Sequence, residues 1–397
     1  MDSLTQITLG AAVGEVILGK KIGNRALLWG AIAGTIPDLD VLTGPFVSEL
    51  QELIYHRGFS HSLVFSVLGA YSIAWMVHRL YQLPYHHYIA SILWFLAPVG
   101  LTFFLTRFDV GLNPILGIGL FGGTALILYR RYFRHPIEKP DASYQDWVQL
   151  FFWGLLTHPI LDCFTTYGTQ LFLPFSSYRV AFNTISVADP LYTVPFLLCI
   201  IIISFVSRNR PLRRKLAWAG LAISSIYMLF CLTNKYRVHN VFIDSLEQEN
   251  ISYNRVMTSP TILNNILWYC LAETDDGYYS GLYSLWDTEK EVELKFTPRN
   301  EGLLVLPQSN IDNTIDKLKW FSNDYYCITE SSGTQLQFND MRFGKFDEST
   351  ESNSYIFNFP IQRNKDGSYE LTQVNGGPPP RDREKAIQNL WERLRGK

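Results

Sequence analysis

The chain has 397 residues, 47% of them hydrophobic and 15% aromatic, with a formal net charge of −2. That length leaves room for more than one domain, and the absence of a basic patch interleaved with aromatics excludes a nucleic-acid binder. The average conceals two unlike halves: residues 1–234 hold long apolar runs with 16 Lys+Arg against 12 Asp+Glu, and residues 235–397 are polar with 18 against 24.

A bilayer-crossing helix needs about 20 mostly apolar residues. Eight stretches are expected to cross, at about 3–19, 26–43, 61–80, 88–106, 111–129, 147–166, 190–207 and 216–233. The opening "MDSLTQITLGAAVGEVILG" has no basic n-region and no small-residue cleavage site, so it reads as a first membrane segment rather than a signal peptide. The first two stretches are short and carry polar residues, which suits tilted or re-entrant segments. Basic residues fall in alternate connections: Lys20, Lys21 and Arg25, then Arg79, then Arg130, Arg131, Arg134 and Lys139, then Arg208, Arg210, Arg213, Arg214 and Lys215. The positive-inside rule places these loops in the cytoplasm, so both the N-terminus and everything after the eighth stretch are expected outside the plasma (inner) membrane. An odd number of spans would reverse that last placement. His78, His86 and His87 read as interfacial anchors on the cytoplasmic side.

The polar half reads as β-rich with some helix. Residues 277–286, 291–298, 302–307 and 325–330 are short aromatic or β-branched runs between turn residues. Residues 259–274 suit either a helix or an extended core segment, and 382–397 are helical with Ala386, Leu390, Trp391 and Leu394 on one face. The five cysteines follow no zinc-ribbon or disulfide spacing. The expected architecture is an all-α membrane domain of about eight spans over 1–234, followed by a β-rich extracytoplasmic domain over 235–397.

Ionisable groups in membrane segments are costly and default to a functional reading. Four clusters qualify: "TIPDLDVL" with Asp38 and Asp40, "YHRGFSHS" with His56, Arg57 and His61, "LLTHPILDCFTTYG" with His158 and Asp162, and "SVADPLYT" with Asp189. The charge rule used none of them, yet it places all four at the outer face. His158 and Asp162, four apart on a helix, share one face. His56 and His61 flank Gly58, which suits a turn into a helix. Asp38 and Asp40 diverge on a strand but can converge at a helix end. Imidazole and carboxylate are ligands for zinc, and also for manganese or iron. Asp38, Asp40, His56, His61, His158 and Asp162 are thus candidate ligands for one or two ions. Taken singly each motif is bland: "HxxxD" is commonly a solvated helix pair, "PDLD" an Asx-capped turn, and "HRGFSHS" a snorkelling boundary. Arg57 offers a fork for phosphate or carboxylate, or balances Asp38 or Asp40. Ser60, Ser62, Thr165 and Thr166 are candidates to orient ligands, and no GxSxG elbow marks a serine nucleophile.

In that order, "GTIPDLD", "HRGFSHS", "HPILDCFTTYGTQLFLPF" and "ISVADPLYT" resemble the YdjM-like family of membrane-bound metal-dependent hydrolases over about residues 1–210. The resemblance implies a helical membrane protein with a His/Asp metal site and a hydrolase activity. Asp38 and Asp40 match its PDxD pair, His56 and His61 its HRGxTHS histidines with Ser60 in place of threonine, and His158 and Asp162 its HxxxD pair. Asp189 matches an acidic position of several members. Many members carry a histidine where this chain reads Thr5-Gln6; Gln6 is a poor ligand and a good hydrogen-bond partner.

The leading expectation is a hydrolase at the outer leaflet that cleaves a lipid phosphoester, with Asp40 or Asp189 as base and Arg57 on the phosphate. A metal-stabilised scaffold, or a protein that binds a cell-envelope partner through its outer domain, is the alternative. A transporter would want polar residues at mid-bilayer and an internal repeat, and neither is visible.

Overall fold

The computed structural model describes residues 1–86, 88, 139–304, 314–330, 335–345, 355–364, 367–372, 375–376 and 383–396. The expected spans at 88–106 and 111–129 lie outside the described residues, apart from Tyr88.

Helices α1 (Ser3–Ile22) and α2 (Asn24–Thr35) form a hairpin about Gly23, whose φ of +62° favours glycine. Their backbones touch. A Cβ on Gly10 would stand 2.3 Å from the Gly30 carbonyl oxygen, and one on Gly14 would stand 2.2 Å from that of Ala26. Gly10 and Gly14 on one helix, with Gly30 and Gly34 on the other, are the small-xxx-small spacing that lets membrane helices approach closely.

After Thr35 the chain tightens into a 3-10 segment, Ile36–Phe46, containing Pro37 and Pro45. Such runs rarely exceed three or four residues, and long ones mark function or strain. Helix α3 (Glu49–Tyr55) starts on a capping box of Ser48 and Gln51. A 3-10 turn at Phe59–His61 leads into α4 (Leu63–Gln82), where Ser62 accepts the Phe65 N–H at 3.0 Å. Helix α5 (Tyr144–Asp162) starts on a second capping box, of Ser143 and Asp146. Pro159 denies α5 the N–H that would bond the Leu155 carbonyl, and Ser66 Oγ of α4 donates to that carbonyl at 3.4 Å. Helices α6 (Pro190–Phe205) and α7 (Pro211–Gln248) complete the bundle. At its far end the Arg213 guanidinium grips Glu15 at 2.6 and 2.7 Å and donates to Asn24 and to the Ile203 and Val206 carbonyls, so the buried pair is fully bonded.

Among the described residues, three segments are long and apolar enough to cross a membrane: Asn24–Phe46, Leu63–Gln82 and Pro211–Gln248, with Pro190–Phe205 a shorter apolar helix. The expected count of about eight is not supported. Helices α1 and α5 form where spans were expected, but each is interrupted by polar residues that pack inward: Thr5, Gln6, Thr8 and Glu15 on α1, and His158 and Asp162 on α5, are all buried.

Helix α7 runs unbroken through the boundary expected near residue 234. Its last turns bury Val238, Phe242 and Leu246 against Trp268, Cys270 and Ala272 of the first sheet. That sheet is antiparallel in the order β1 (Arg255–Pro260), β2 (Leu267–Glu273), β3 (Gly277–Ser284), β4 (Lys295–Pro298). Residues 259–274 are therefore not a helix: they end β1, turn at 261–266 and form β2. Helix α8 (Thr314–Phe321) packs on a second antiparallel sheet of β5 (Tyr326–Glu330), β6 (Gln335–Lys345), β7 (Tyr355–Arg363) and β8 (Tyr369–Leu371), with β9 (Asn375–Gly376) paired to β7. Residues 301–303 form a 3-10 turn where a strand was expected, and 305–307 lie outside the described residues. Helix α9 (Arg383–Leu394) forms as expected; Leu394 is buried while Trp391 stays exposed.

Candidate metal centre

Four side chains converge from three elements: Asp38 of the 3-10 segment, His61 of the turn before α4, and His158 and Asp162 of α5, with one ligand atom from each within 4.8 Å of the others. His61 Nε2 and His158 Nε2 lie 3.1 Å apart; Asp38 Oδ1 is 3.4 and 3.3 Å from them, and Asp162 Oδ2 is 3.5 and 3.4 Å away. Four atoms bound at about 2.0–2.1 Å to a tetrahedral ion stand about 3.3 Å from one another.

The outer nitrogens fix how the imidazoles point. His158 Nδ1 donates to the Gly34 carbonyl at 2.6 Å. His61 Nδ1 lies 3.0 Å from Ser60 Oγ, which donates to Asp40 Oδ2 at 3.3 Å, and Asp40 Oδ2 itself is 3.5 Å from Nδ1. With both Nδ1 atoms donating, both Nε2 atoms turn lone pairs inward, toward two carboxylate oxygens. Asp162 Oδ2 is buried without a hydrogen-bond partner among the described residues. Four converging acceptors repel one another unless a cation lies between them, so the donor set fits a divalent ion.

The other candidates stand outside this set. In a 3-10 helix two residues differ by two-thirds of a turn, so Asp38 faces the cluster while Asp40 turns away. Asp40 accepts from His56 Nδ1 at 3.1 Å and from the Arg57 N–H at 2.9 Å. His56 thus reaches the cluster only through Asp40 and through an edge-on ring contact with His61. Arg57, at a φ of +57°, is buried; its Nε is 3.5 Å from Asp162 Oδ2 and its Nη1 donates to Thr165 Oγ1 at 2.8 Å. It balances Asp162 rather than Asp38 or Asp40. Asp189 is elsewhere, capping α6 through the Leu191 and Tyr192 N–H groups at 3.0 and 3.3 Å and accepting the Tyr227 hydroxyl. Gln6 Nε2 donates to Asp162 Oδ1 at 3.0 Å, and the Met1 amino group reaches the same oxygen.

Two contributors lie outside the candidates read from the sequence. Gly34 supplies a carbonyl, placed by the glycine contact of α1 and α2. Tyr167 lies under Arg57 at 5.0 Å and Arg179 at 4.7 Å and meets His56 and Phe321 edge-on, each at 5.4 Å. Burial pushes its phenol above the ordinary tyrosine value, so it stays a neutral ring between two guanidinium groups.

No curated protein and no solved structure matches the chain. The family model described as YdjM inner membrane protein matches residues 1–238, the span that contains all four converging side chains, and the chain belongs to that family of membrane proteins.

Proposed function

We propose that the protein is a metal-dependent hydrolase of phosphoesters, working at the extracytoplasmic face of the membrane. The observation that carries the metal is the convergence of four acceptor atoms, the two imidazole Nε2 atoms lying 3.1–3.5 Å from each other and from both carboxylates, with both imidazoles held lone-pair inward by their Nδ1 partners. Zinc suits two imidazoles and two carboxylates best, and manganese or iron would also be served. A divalent ion there supplies a Lewis acid that activates water and polarises a phosphoryl oxygen. The water oxygen bonds to phosphorus, the bond from phosphorus to the leaving oxygen breaks, and the proton lost by water ends on the leaving alcohol or solvent. Asp40 and His56, hydrogen-bonded beside the cluster, are placed to accept that proton. Arg57, cationic next to Asp162, favours an anionic substrate over a neutral ester or amide.

Orientation is part of the proposal. Gln6 at the cluster and Lys21 at the other end of α1 are separated by about 22 Å at 1.5 Å per residue. Lys21 pairs with Asp146, and Arg208 donates to the Lys21 carbonyl. The basic end therefore lies opposite the cluster, and the positive-inside rule expects it in the cytoplasm.

A second reading rests on the closed count: four protein ligands fill a tetrahedral shell as in a structural ion, and the hydrolase reading requires the ion to take water as a fifth ligand. One experiment separates them. The full chain in detergent is loaded with zinc, and phosphate release from phosphatidic acid is followed for the native protein, His61→Ala and His158→Ala. Turnover that disappears in both variants together with bound metal supports the hydrolase. Metal bound by the native chain with no turnover, and unfolding when it is removed, favours the scaffold.

A further inference from the structure

The site is roofed on one side and edged with exposed apolar groups on another. The roof is the soluble domain. Leu50 and Leu53 of α3 and Tyr167 pack into the core of the second sheet, beside Phe321 and Phe359. Arg342 of β6 donates to the Thr166 carbonyl at 3.4 Å, Arg179 to the Phe321 carbonyl at 3.1 Å, and Trp320 Nε1 to the Ser177 carbonyl at 3.3 Å. These contacts seat α8 and the sheet on α3 and on the 163–179 loop, next to His56 and Arg57. Of the four converging side chains, His61, His158 and Asp162 are each at most 1% exposed, and only Asp38 is open, at 20%. Asp38 lies in the 3-10 end of a segment long and apolar enough to cross the membrane. Its neighbours there are exposed and apolar: Leu39, Leu42 and Phe46 at 48%, 65% and 87%. Phe59, beside His61, is exposed as well.

We infer that the substrate is a bilayer amphiphile, a lipid phosphate or phosphodiester, which slides from the membrane past Leu39, Leu42 and Phe46 with its chains still in the bilayer and its anionic head entering at Asp38. This rests on the reading of the site as one for phosphoesters, and it adds the lateral route by which the head group enters. An acyl chain has no reason to leave the bilayer when the exposed edge of the site continues a membrane-crossing face. A water-soluble phosphate, by contrast, meets the soluble domain. As a roof, that domain excludes soluble esters from the ion and holds the Arg57 turn through Tyr167.

The test uses the full chain, loaded with zinc, in phosphatidylcholine vesicles. Two photoreactive probes are compared, a phosphatidic acid with a diazirine close to its head group and a glycerol phosphate with the same diazirine and no acyl chain. The lipid probe should label the peptide that contains residues 38–46, and the soluble probe should not. Leu42→Asp should lower lipid labelling about tenfold or more, because a carboxylate there repels acyl chains, while metal content stays at the native level. If Leu42→Asp loses the metal, Leu42→Ser is read in its place. Equal labelling by both probes, or native labelling in a metal-replete variant at position 42, overturns the lateral route. Labelling as expected without hydrolysis of any phosphoester instead overturns the hydrolase reading and leaves the route standing.

Discussion

Replacing Asp40 with asparagine distinguishes a carboxylate that is a ligand from one that holds a ligand in place. Asp40 Oδ2 stands 3.5 Å from His61 Nδ1 and accepts the Arg57 N–H at 2.9 Å, while Oδ1 faces His56 Nδ1 at 3.1 Å. Asparagine keeps the size, removes the charge, and turns one acceptor into a donor that must face another donor. The charge that favours the His61 tautomer weakens, but all four converging atoms remain. The expected loss of metal affinity is about 10–100-fold, the usual effect of removing an outer partner of a metal-bound histidine, or about 1.4–2.7 kcal/mol. Asp38→Asn removes a converging carboxylate itself and should cost more than that. His56→Ala should cost less than Asp40→Asn, since His56 reaches the cluster mainly through Asp40. The assay is a zinc titration of the detergent-purified full chain against a chromophoric chelator, which yields stoichiometry and affinity separately. Loss of stoichiometry in Asp40→Asn equal to that in Asp38→Asn would refute the two-layer arrangement and put Asp40 among the ligands.

Gly30→Ala should weaken metal binding from a distance. Its Cβ would stand 2.2 Å from the Gly10 carbonyl oxygen, a backbone atom, so α1 and α2 must part and draw the Gly34 carbonyl off His158; about 1–3 kcal/mol of stability and a measurable loss of zinc affinity are expected. Gly302→Ala, with nothing within 4 Å of the added atom, is the control, and equal behaviour of the two variants in melting and titration would contradict the account. In the sheet-rich C-terminal domain, burial alone would raise the pKa of Glu273, but hydrogen bonds from Arg255 and Arg299 outweigh it and hold the carboxyl below the ordinary value of 4.5. A depressed carboxylate contributes stability above its unfolded value that is lost as pH falls through the folded one. Thermal melts of the native chain should therefore fall more steeply below about pH 4.5 than those of Glu273→Gln, and parallel curves would refute the linkage.

The residues of the cluster were legible in the sequence, while its layering was not. His158 and Asp162 lie one helical turn apart, and a 3.6-residue period alone aligns them. "HRGFSHS" announced a turn through Gly58, but residue type does not say which histidine faces inward. That depends on the positive φ of Arg57 and on Ser60, which together turn His56 out toward Tyr167. Asp38 and Asp40 posed the same problem: the expectation that they converge assumed a helix end, and the 3-10 geometry separates them. Asp189 shows the limit most plainly. An aspartate before a proline at a helix start is a cap by local chemistry, and only its alignment with the other clusters suggested a base.

The span count failed for a related reason. A hydropathy window treats every apolar stretch as facing lipid, whereas α1 and α5 turn their polar residues inward, toward each other and toward α2, α6 and α7. Gln6 donates to Asp162 and to the His158 carbonyl, and Gly34 accepts from His158. Those polar groups are what make the two helices poor spans, and they are also what makes the cluster. The glycine spacing on α1 and α2 was present in the sequence as Gly10-x3-Gly14 and Gly30-x3-Gly34, and it foretells a backbone contact rather than a lipid-facing surface. The inner helices are therefore better read as walls of the centre, with their polar faces turned to it, than as lipid-facing segments. The lipid-facing work falls to the outer segments, including the one whose 3-10 end carries Asp38. On that arrangement the His/Asp cluster and a segment apolar enough to cross the membrane share a single element, the 3-10 stretch that carries Asp38.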